Sequence, residues 1–252
     1  MIERDALVKY CHTLLNVDQF SDYAPNGLQV EGRSTVQRIV TGVTACQALL
    51  EAAISYQTDA ILVHHGYFWR GEPTTIVGVR ARRIGALLKN DINLLGYHLP
   101  LDAHPILGNN VQLAQRLGFT IETLIDDGHQ PAFTCIGYPA QALSGEALAI
   151  LIAERLGRTP LHIAGHAKII KRVAWCTGAA QSVLPYAVEE RADAYITGEI
   201  SENTVHFARE TGTHFYAAGH HATERYGIQA LGEHLATMFG LEHHFIDIEN
   251  PV

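Results

Sequence analysis

The sequence predicts an α/β protein made of two related halves, in which a mostly parallel sheet is covered by helices in an α/β/α layering. Short apolar segments alternate with amphipathic helical segments along most of the 252 residues, and this alternation is typical of βαβ units. A strand–helix–strand unit from the first half also recurs in the second half, which indicates a duplication.

The alternation begins after an amphipathic helix predicted over residues 3–16 and a loop that contains the turn signal Pro25-Asn26-Gly27. Apolar segments rich in β-branched residues then alternate with segments of helical period. Strands are predicted over 38–43, 59–63, 92–97, 133–138, 170–176, 194–197, 214–217 and 243–248. Helices are predicted over 46–56, 81–89, 111–117, 145–156, 182–191, 203–210 and 225–238.

Composition and charge narrow the class of protein. Hydrophobic residues make up 47% of the chain and charged residues 17%, which is ordinary for a globular domain. The formal net charge of -8 argues against electrostatic capture of a nucleic-acid backbone. The short basic cluster Arg80, Arg82 and Arg83 is interpreted as an exposed helix face, although a local basic patch would still allow a nucleic-acid partner.

The cysteines and the N-terminal segment predict a soluble, cytoplasmic protein. The four cysteines are widely separated and form no CxxC pair, so their spacing excludes a zinc-finger framework and favours reduced thiols. Charged residues interrupt the first 15 residues, which therefore lack the apolar core of a signal peptide. No segment approaches the roughly 20 apolar residues that a membrane helix needs.

The internal repeat places polar residues at matching positions. When the chain is aligned with itself, Arg38 meets Arg172, and Asp59 meets Asp193 without a gap. Further along, His98-x-x-x-Asp102 meets His220-x-x-x-Glu224. We therefore predict a first half over 1–122 with His64, His65, His98 and Asp102, a short connecting segment over 123–168, and a second half over 169–252 with Glu199, His220 and Glu224.

These polar residues lie at or just after the carboxyl ends of predicted strands, where open parallel sheets collect ligands. Imidazole and carboxylate groups suit Fe, Zn, Mn, Ni or Co, and a carboxylate can bridge two cations. Taken singly, His98 is better interpreted as a hydrogen-bonded core histidine, and Glu224 could be an exposed carboxylate at a helix N-terminus. Adjacent histidines on a strand point to opposite faces, so one of His64 and His65 is structural unless the backbone turns there. Taken jointly, the clusters predict a two-metal site with the ligands His64, His65, Asp102, His220 and Glu224.

Five motifs give the chain a specific resemblance to a known family. It resembles the Nif-three-like dinuclear-metal family, the type 2 GTP cyclohydrolase I homologues, from the first loop to the final strand. The motifs are Ser21-Asp22-Tyr23-Ala24-Pro25-Asn26-Gly27-Leu28-Gln29-Val30, Val63-His64-His65-Gly66, His98-Leu99-Pro100-Leu101-Asp102, Thr197-Gly198-Glu199 and Gly219-His220-His221-Ala222-Thr223-Glu224.

The resemblance implies two intertwined α/β half-domains, a ring-shaped homohexamer and a pair of divalent cations. It implies that His64, Asp102 and Glu224 hold one cation and that His65, His220 and Glu224 hold the other. Glu224 then bridges the pair, and His98 lies nearby as a further ligand or a proton carrier. Some family members carry a long inserted domain between the halves, whereas the corresponding stretch here, 123–168, is short.

Two function classes are compatible with such a site. The first is a dinuclear metal-dependent hydrolase acting on a nucleotide or another small molecule, with His98 or Glu199 moving protons. The alternative is a non-enzymatic metal-binding protein, such as a metal carrier, a metal-sensing partner or a ring stabilised by its metal. The chain has no glycine-rich phosphate loop of the usual form, so GTP cyclohydrolase activity is implied by the resemblance alone.

Overall fold

A computed structural model describes residues 1–252, which form thirteen strands, nine α-helices and two short 3-10 turns. The chain divides into two compact units. The first unit contains Met1–Leu107 and Gly227–Glu249, and the second contains Gly108–Tyr226 and Asn250–Val252. None of the helices combines the length and the apolar character that a bilayer-spanning segment requires.

All the elements between Met1 and Leu107 belong to the first unit. They are β1 (Ile2–Glu3), α1 (Arg4–Leu14), β2 (Gly27–Val30), β3 (Thr35–Val36), β4 (Arg38–Thr44), α2 (Gln47–Ser55), β5 (Ala60–His65), α3 (Gly78–Lys89), β6 (Asn93–Gly96) and α4 (Leu99–Asp102).

The remaining elements follow Leu107, and β13 and most of α9 among them also belong to the first unit. They are α5 (Asn109–Leu117), β7 (Phe119–Leu124), β8 (Cys135–Pro139), α6 (Gly145–Leu156), β9 (Leu161–Ile163), β10 (Val173–Trp175), α7 (Leu184–Glu189), β11 (Ala194–Thr197), α8 (Glu202–Thr211), β12 (His214–Ala217), α9 (His220–Phe239) and β13 (Glu242–Phe245).

The first unit has a five-stranded sheet in the order β13-β4-β5-β6-β2, in which only the edge strand β2 is antiparallel to its neighbour. Side chains of consecutive strand residues point to opposite faces, so this sheet feeds two apolar clusters. Leu62 and Leu95 pack with α1 and α9, whereas Ile61 and Leu94 pack with α2 and α3. Helices therefore cover both faces, as the predicted α/β/α layering requires.

The second unit has a six-stranded sheet in the order β7-β8-β10-β11-β12-β9. Only the central strands β10, β11 and β12 are parallel, and β7, β8 and β9 pair in antiparallel fashion around them. The predicted α/β class is confirmed, but the description as mostly parallel applies to the first sheet, whereas the second is mixed. Strands β7 and β9 were not predicted because their exposed residues leave no continuous apolar segment.

The predicted boundaries at residues 122 and 168 differ from those of the compact units. Leu148 and Ile152, from the predicted connecting segment, belong to the apolar core of the second unit. Strand β13 pairs with β4, and Leu231 and Leu235 of α9 join the core of the first unit. The last helix and strand thus return to the first sheet, a long-range pairing that local periodicity cannot reveal.

The internal repeat is visible in the hydrogen bonds at corresponding positions of the two units. The Oδ2 atom of Asp59 accepts the backbone N–H groups of Gln37, just before β4, and of Arg38, its first residue, both at 2.8 Å. The Oδ2 atom of Asp193 accepts the N–H groups of the two residues just before the corresponding β10, at 2.8 and 2.9 Å. Gln57 and Arg191 both adopt positive φ values, of 57° and 59°, at the turns that lead to these aspartates. This match agrees with the predicted internal repeat.

Most predicted elements are present with bounds shifted by one to three residues. Three predictions coincide with the observed bounds, namely the helix Gly145–Leu156 and the strands Ala194–Thr197 and His214–Ala217. The helix predicted over 182–191 is divided into a 3-10 turn, Gln181–Val183, and α7. The Pro25-Asn26-Gly27 segment leads directly into β2, a strand that the turn signal concealed.

Candidate metal centre

The first unit brings three predicted histidines together at neighbouring strand ends. Strand β5 ends at His64 and His65, and His98 follows β6 after one intervening residue, Tyr97. One ring nitrogen from each of the three histidines lies within 4.8 Å of the others. The His64 and His65 ring centroids are only 4.6 Å apart, so the strand alternation does not separate these neighbours at the last two positions of β5.

His64 is held in a defined orientation. Its Nδ1 atom lies 3.0 Å from the backbone carbonyl oxygen of Tyr97, and the side chain is buried. A carbonyl oxygen can only accept, so Nδ1 carries the proton and Nε2 keeps its lone pair. The Oδ1 atom of Asp102 lies 3.6 Å from Nε2. Asp102 ends the short helix α4, where its backbone N–H donates to the carbonyl oxygen of His98 at 3.2 Å.

His98 is bound by a carboxylate that was not among the predicted site residues. Its Nδ1 atom lies 2.7 Å from Asp22 Oδ1, and its backbone N–H donates to Asn26 Oδ1, also at 2.7 Å. Burial raises the pKa of Asp22, but hydrogen bonds from His98 and Asn26, together with the His98 charge, outweigh it and lower this pKa to about 2. The indole of Trp69 packs against the His98 ring, with centroids 4.8 Å apart.

The second unit forms a similar arrangement at the ends of β10, β11 and β12. The Nδ1 atom of His220 lies 2.7 Å from Glu199 Oε1, and its Nε2 atom lies 3.0 Å from Glu224 Oε2. Desolvation lowers the pKa of His220, but hydrogen bonds and charges from Glu224 and Glu199 outweigh it and raise this pKa to about 9. The His220 imidazole is therefore hydrogen-bonded to Glu199 on one side and faces the Glu224 carboxylate on the other.

The helix that carries His220 and Glu224 begins earlier than predicted. Helix α9 starts at His220 rather than at Arg225, which corrects the prediction by five residues. His220 and Glu224 are thus four residues apart on one helix and share a face. Apolar periodicity did not reveal this first turn, because polar contacts fix it: the Thr223 hydroxyl donates to the His220 carbonyl at 2.9 Å and accepts from the Gly178 N–H at 3.1 Å.

Gly178 supports the Glu224 carboxylate from the loop that follows β10. A Cβ atom at this position would lie only 2.1 Å from Glu224 Oε1, and the residue has a φ of +72°. Both the close approach and the backbone conformation call for glycine. The Gly178 carbonyl oxygen is itself held by the Thr197 hydroxyl at 3.0 Å and by the Gly198 N–H at 2.8 Å.

The donor sets within each unit fit a divalent cation. Two ligand atoms that share a tetrahedral cation at about 2.1 Å lie about 3.4 Å apart. The observed separations are 3.6 Å between His64 Nε2 and Asp102 Oδ1, and 3.0 Å between His220 Nε2 and Glu224 Oε2. In His64 and His220, Nδ1 is hydrogen-bonded to an oxygen acceptor, an arrangement that commonly orients metal-bound histidines. The residues therefore suit a metal, both in chemistry and in spacing.

Sequence reasoning found the ligand-type side chains but missed the groups that orient them. These include Asp22, Gly178, Thr223, Trp69 and the Tyr97 carbonyl oxygen. Asp22 lies in the Ser21–Gly27 segment that carried part of the family resemblance, and this motif was the only signal for it. Glu199, predicted to move protons, hydrogen-bonds to His220 and remains one-third exposed.

Comparisons with known proteins agree with the predicted family. A protein called GTP cyclohydrolase 1 type 2 homolog from Pseudomonas aeruginosa is 52% identical over 250 residues, covering 99% of both chains. Its namesake from Vibrio cholerae is 55% identical over 240 residues, covering 94% of this chain and 95% of the relative. The solved structure of the protein ybgI, at 52% identity, superposes with a TM-score of 0.96 over 100% of both chains. That of TTHA1606 from Thermus thermophilus, at 35% identity, gives a TM-score of 0.91 over 100% of both chains. Residues 2–251 match the model of Duf34/NIF3 (NGG1p interacting factor 3), and the chain therefore belongs to this family.

Proposed function

We propose that the protein is a dinuclear metal-dependent hydrolase that acts on a nucleotide or another small molecule. In this proposal His64, Asp102 and Glu224 hold one divalent cation, and His65, His220 and Glu224 hold the other, with Glu224 as the bridge. The cations are drawn from Fe, Zn, Mn and Ni, which accept nitrogen and oxygen ligands.

The convergence of His64, His65 and His98 in the first unit is the observation that carries the proposal. Three imidazole nitrogens lie within 4.8 Å of one another at the carboxyl ends of parallel strands. Imidazole nitrogens are the commonest protein ligands of divalent transition metals, and three of them at one sheet edge are a typical ligand set. Five side chains for two cations leave coordination positions open, as in catalytic rather than structural sites.

The protein side chains have distinct tasks in this proposal. A bound cation pair would supply Lewis acidity and lower the pKa of water. His98 is not fully buried, and its ring lies beside those of His64 and His65, so it can exchange a proton with a bound substrate. Glu199 holds the Nδ1 atom of His220 and directs the Nε2 atom toward Glu224. Glu199 also remains accessible enough to relay a proton.

Two observations support a small substrate with a planar ring. The relatives carry the name GTP cyclohydrolase 1 type 2 homolog, which points to a nucleotide. Trp69 and the exposed Tyr23 both contact the His98 ring, at centroid distances of 4.8 and 6.4 Å. Aromatic faces beside a polar site can stack on a planar ring. We further propose a cytoplasmic homohexamer that has no membrane contact and does not require nucleic acid.

Metal reconstitution followed by activity screening tests the proposal. The chelator-treated protein is loaded separately with Mn²⁺, Fe²⁺, Zn²⁺ and Ni²⁺ and assayed against GTP, other nucleotides and a generic phosphodiester. His64→Ala and Glu224→Ala should lose both metal and hydrolysis, whereas the exposed control His206→Ala should lose neither. If the two variants lose metal but no metal form of the natural protein hydrolyses any substrate, the metal-carrier alternative replaces the enzyme. If both variants keep two cations per chain, the ligand assignment is wrong.

A further inference from the structure

The Asp22 carboxylate is saturated by four donors. Its Oδ1 atom is 2.6 Å from the Tyr23 N–H nitrogen and 2.7 Å from His98 Nδ1. Its Oδ2 atom is 2.8 Å from Asn26 Nδ2 and 2.9 Å from the Leu99 N–H nitrogen. A carboxylate has about four acceptor positions, two on each oxygen, so this side chain has no further capacity. Only 3% of it is exposed to solvent.

The carboxylate acceptor determines which nitrogen of the neutral His98 ring carries the proton. Neutral imidazole carries one N–H, and the tautomer is set by the partner of each nitrogen. Because Asp22 Oδ1 can only accept, Nδ1 of His98 donates to it and Nε2 retains a lone pair. One nitrogen of this ring lies within 4.8 Å of those of His64 and His65, and since Nδ1 is occupied, Nε2 is the nitrogen free to act there.

We propose that Asp22 is a positioning residue that holds His98 in the Nδ1–H tautomer and so presents the Nε2 lone pair to the His64–His65 pair. The proposal rests on the proposed function for what Nε2 then does, namely accept a proton or contact a cation. The tautomer itself does not depend on that function. Asp22 acts through His98 and does not contact the reacting atoms.

The second unit provides an independent parallel. His220, which aligns with His98 in the internal repeat, also has its Nδ1 atom 2.7 Å from a carboxylate oxygen, that of Glu199. The two carboxylates are unrelated in the repeat, because Asp22 lies in the loop before β2 whereas Glu199 follows β11. Each half has therefore supplied a carboxylate to the same ring nitrogen from a different element. A purely local role in shaping the 22–26 loop would not explain this recurrence.

The chemistry of an amide at position 22 makes the inference testable. In one orientation the NH₂ group of an asparagine would face two donors, Asn26 Nδ2 and the Leu99 N–H. In the other it would face the Tyr23 N–H and His98 Nδ1, and only the imidazole nitrogen can become an acceptor. The second orientation has one donor–donor conflict instead of two, so Asp22→Asn should drive His98 toward the Nε2–H tautomer.

Nuclear magnetic resonance of the chelated, metal-free protein, recorded at a pH high enough for the imidazole to be neutral, reads the tautomer directly. Histidine is labelled with ¹⁵N, the two-bond ¹H–¹⁵N pattern reports which nitrogen carries the proton, and His98→Gln identifies the His98 signals. We expect the Nδ1–H pattern in the natural protein and a shift to Nε2–H in Asp22→Asn. Asp18→Asn, which removes an exposed carboxylate from a nearby turn, should leave the pattern unchanged.

Binding of Zn²⁺ alone gives the second readout. Loss of an outer-shell partner of a site histidine typically lowers metal affinity by about 10- to 100-fold. If His98 Nε2 contacts a cation, Asp22→Asn should lower the Zn²⁺ affinity by this factor. If Nε2 accepts a proton instead, the affinity should be unchanged and hydrolysis reduced. Either result, together with a changed tautomer, supports the positioning role of Asp22.

An Nε2–H tautomer in the natural protein would overturn the inference even if every variant failed to fold. So would an unchanged Nδ1–H tautomer in a folded Asp22→Asn protein. Absence of hydrolysis in the natural protein would instead count against the proposed function and leave the tautomer result standing.

Discussion

Metal binding to the second-unit residues should displace a proton from His220. In the metal-free protein Glu224 and Glu199 raise the pKa of this imidazole to about 9, against an ordinary value of 6.5. A cation requires the neutral ring, so protein that binds metal near neutral pH must release the proton first. At a pH of about 7.5 roughly 97% of the His220 rings would be protonated, which predicts release of about one proton per site.

The same competition sets the size of the pH effect. A pKa that lies about 1.5 units above the working pH lowers the apparent metal affinity by about 30-fold, or about 2 kcal/mol. Affinity should therefore rise as the pH increases from about 6.5 and level off above about 9. In the metal-free protein the folding stability has the opposite pH dependence to the metal affinity. The raised pKa stabilises the fold below a pH of about 6.5, and this contribution is lost as the pH rises through about 9.

Calorimetric titration with buffered Zn²⁺ measures this proton release. The heat is recorded in buffers of different ionisation enthalpy at several pH values. Glu199→Gln removes one of the two carboxylates, so its affinity should level off at a lower pH, whereas the exposed control His206→Gln should behave like the natural protein. Proton competition predicts an affinity change of about 50-fold between pH 7 and 9, so an affinity that stays constant within about twofold over this range would refute the reasoning.

Three further predictions follow from the same contacts. Gly178→Ala should weaken metal binding and destabilise the protein more than its control Gly157→Ala. Both positions have φ near +70°, but only Gly178 lacks space for a Cβ atom. Thermal unfolding of the two variants separates the backbone cost that they share, about 1–2 kcal/mol, from the additional steric clash at Gly178. Of the two tryptophans, Trp69 contacts His65 and His98 whereas Trp175 is fully buried, so Co²⁺ should quench fluorescence in the natural protein and far less in Trp69→Phe. The pKa of Asp22, lowered from 3.8 to about 2, predicts a stabilisation of about 2 kcal/mol that is present above a pH of about 4 and is lost as the pH falls toward 2. Acid unfolding curves of Asp22→Asn should lack this component, and curves identical to those of the natural protein would contradict the assignment.

The alternating α/β pattern could be predicted from the sequence because it depends on local residue patterns. Strands such as Ala194–Thr197 and helices such as Gly145–Leu156 carry their own apolar period and their own flanking turn residues. The predicted repeat also pointed to a real similarity, since Asp59 and Asp193 keep the same residue type for the same backbone contacts. The grouping of polar side chains at strand ends could also be predicted, because parallel strands end at a common edge where ligands bind.

The sequence did not predict which strands and helices pack together. Whether β13 joins the first sheet or the second depends on which apolar faces remain uncovered, and that is a property of the folded chain. The start of α9 at His220 is likewise fixed by the Thr223 and Gly178 contacts rather than by periodicity. Nothing in the sequence alone ranks Glu224 as a residue on the same helical face as His220 until that first turn is known to be helical.

By itself the sequence determined the α/β class, the family and the residue types that are able to bind metal, because each of these depends on local pattern or on short motifs. Tertiary structure decided how those residues are oriented. His64, His98 and His220 each place Nδ1 against an oxygen, and the partners are distant in sequence: the Tyr97 carbonyl, Asp22 and Glu199. The proton position on an imidazole depends on which acceptor the fold brings within hydrogen-bonding distance, and only the packed chain establishes that distance.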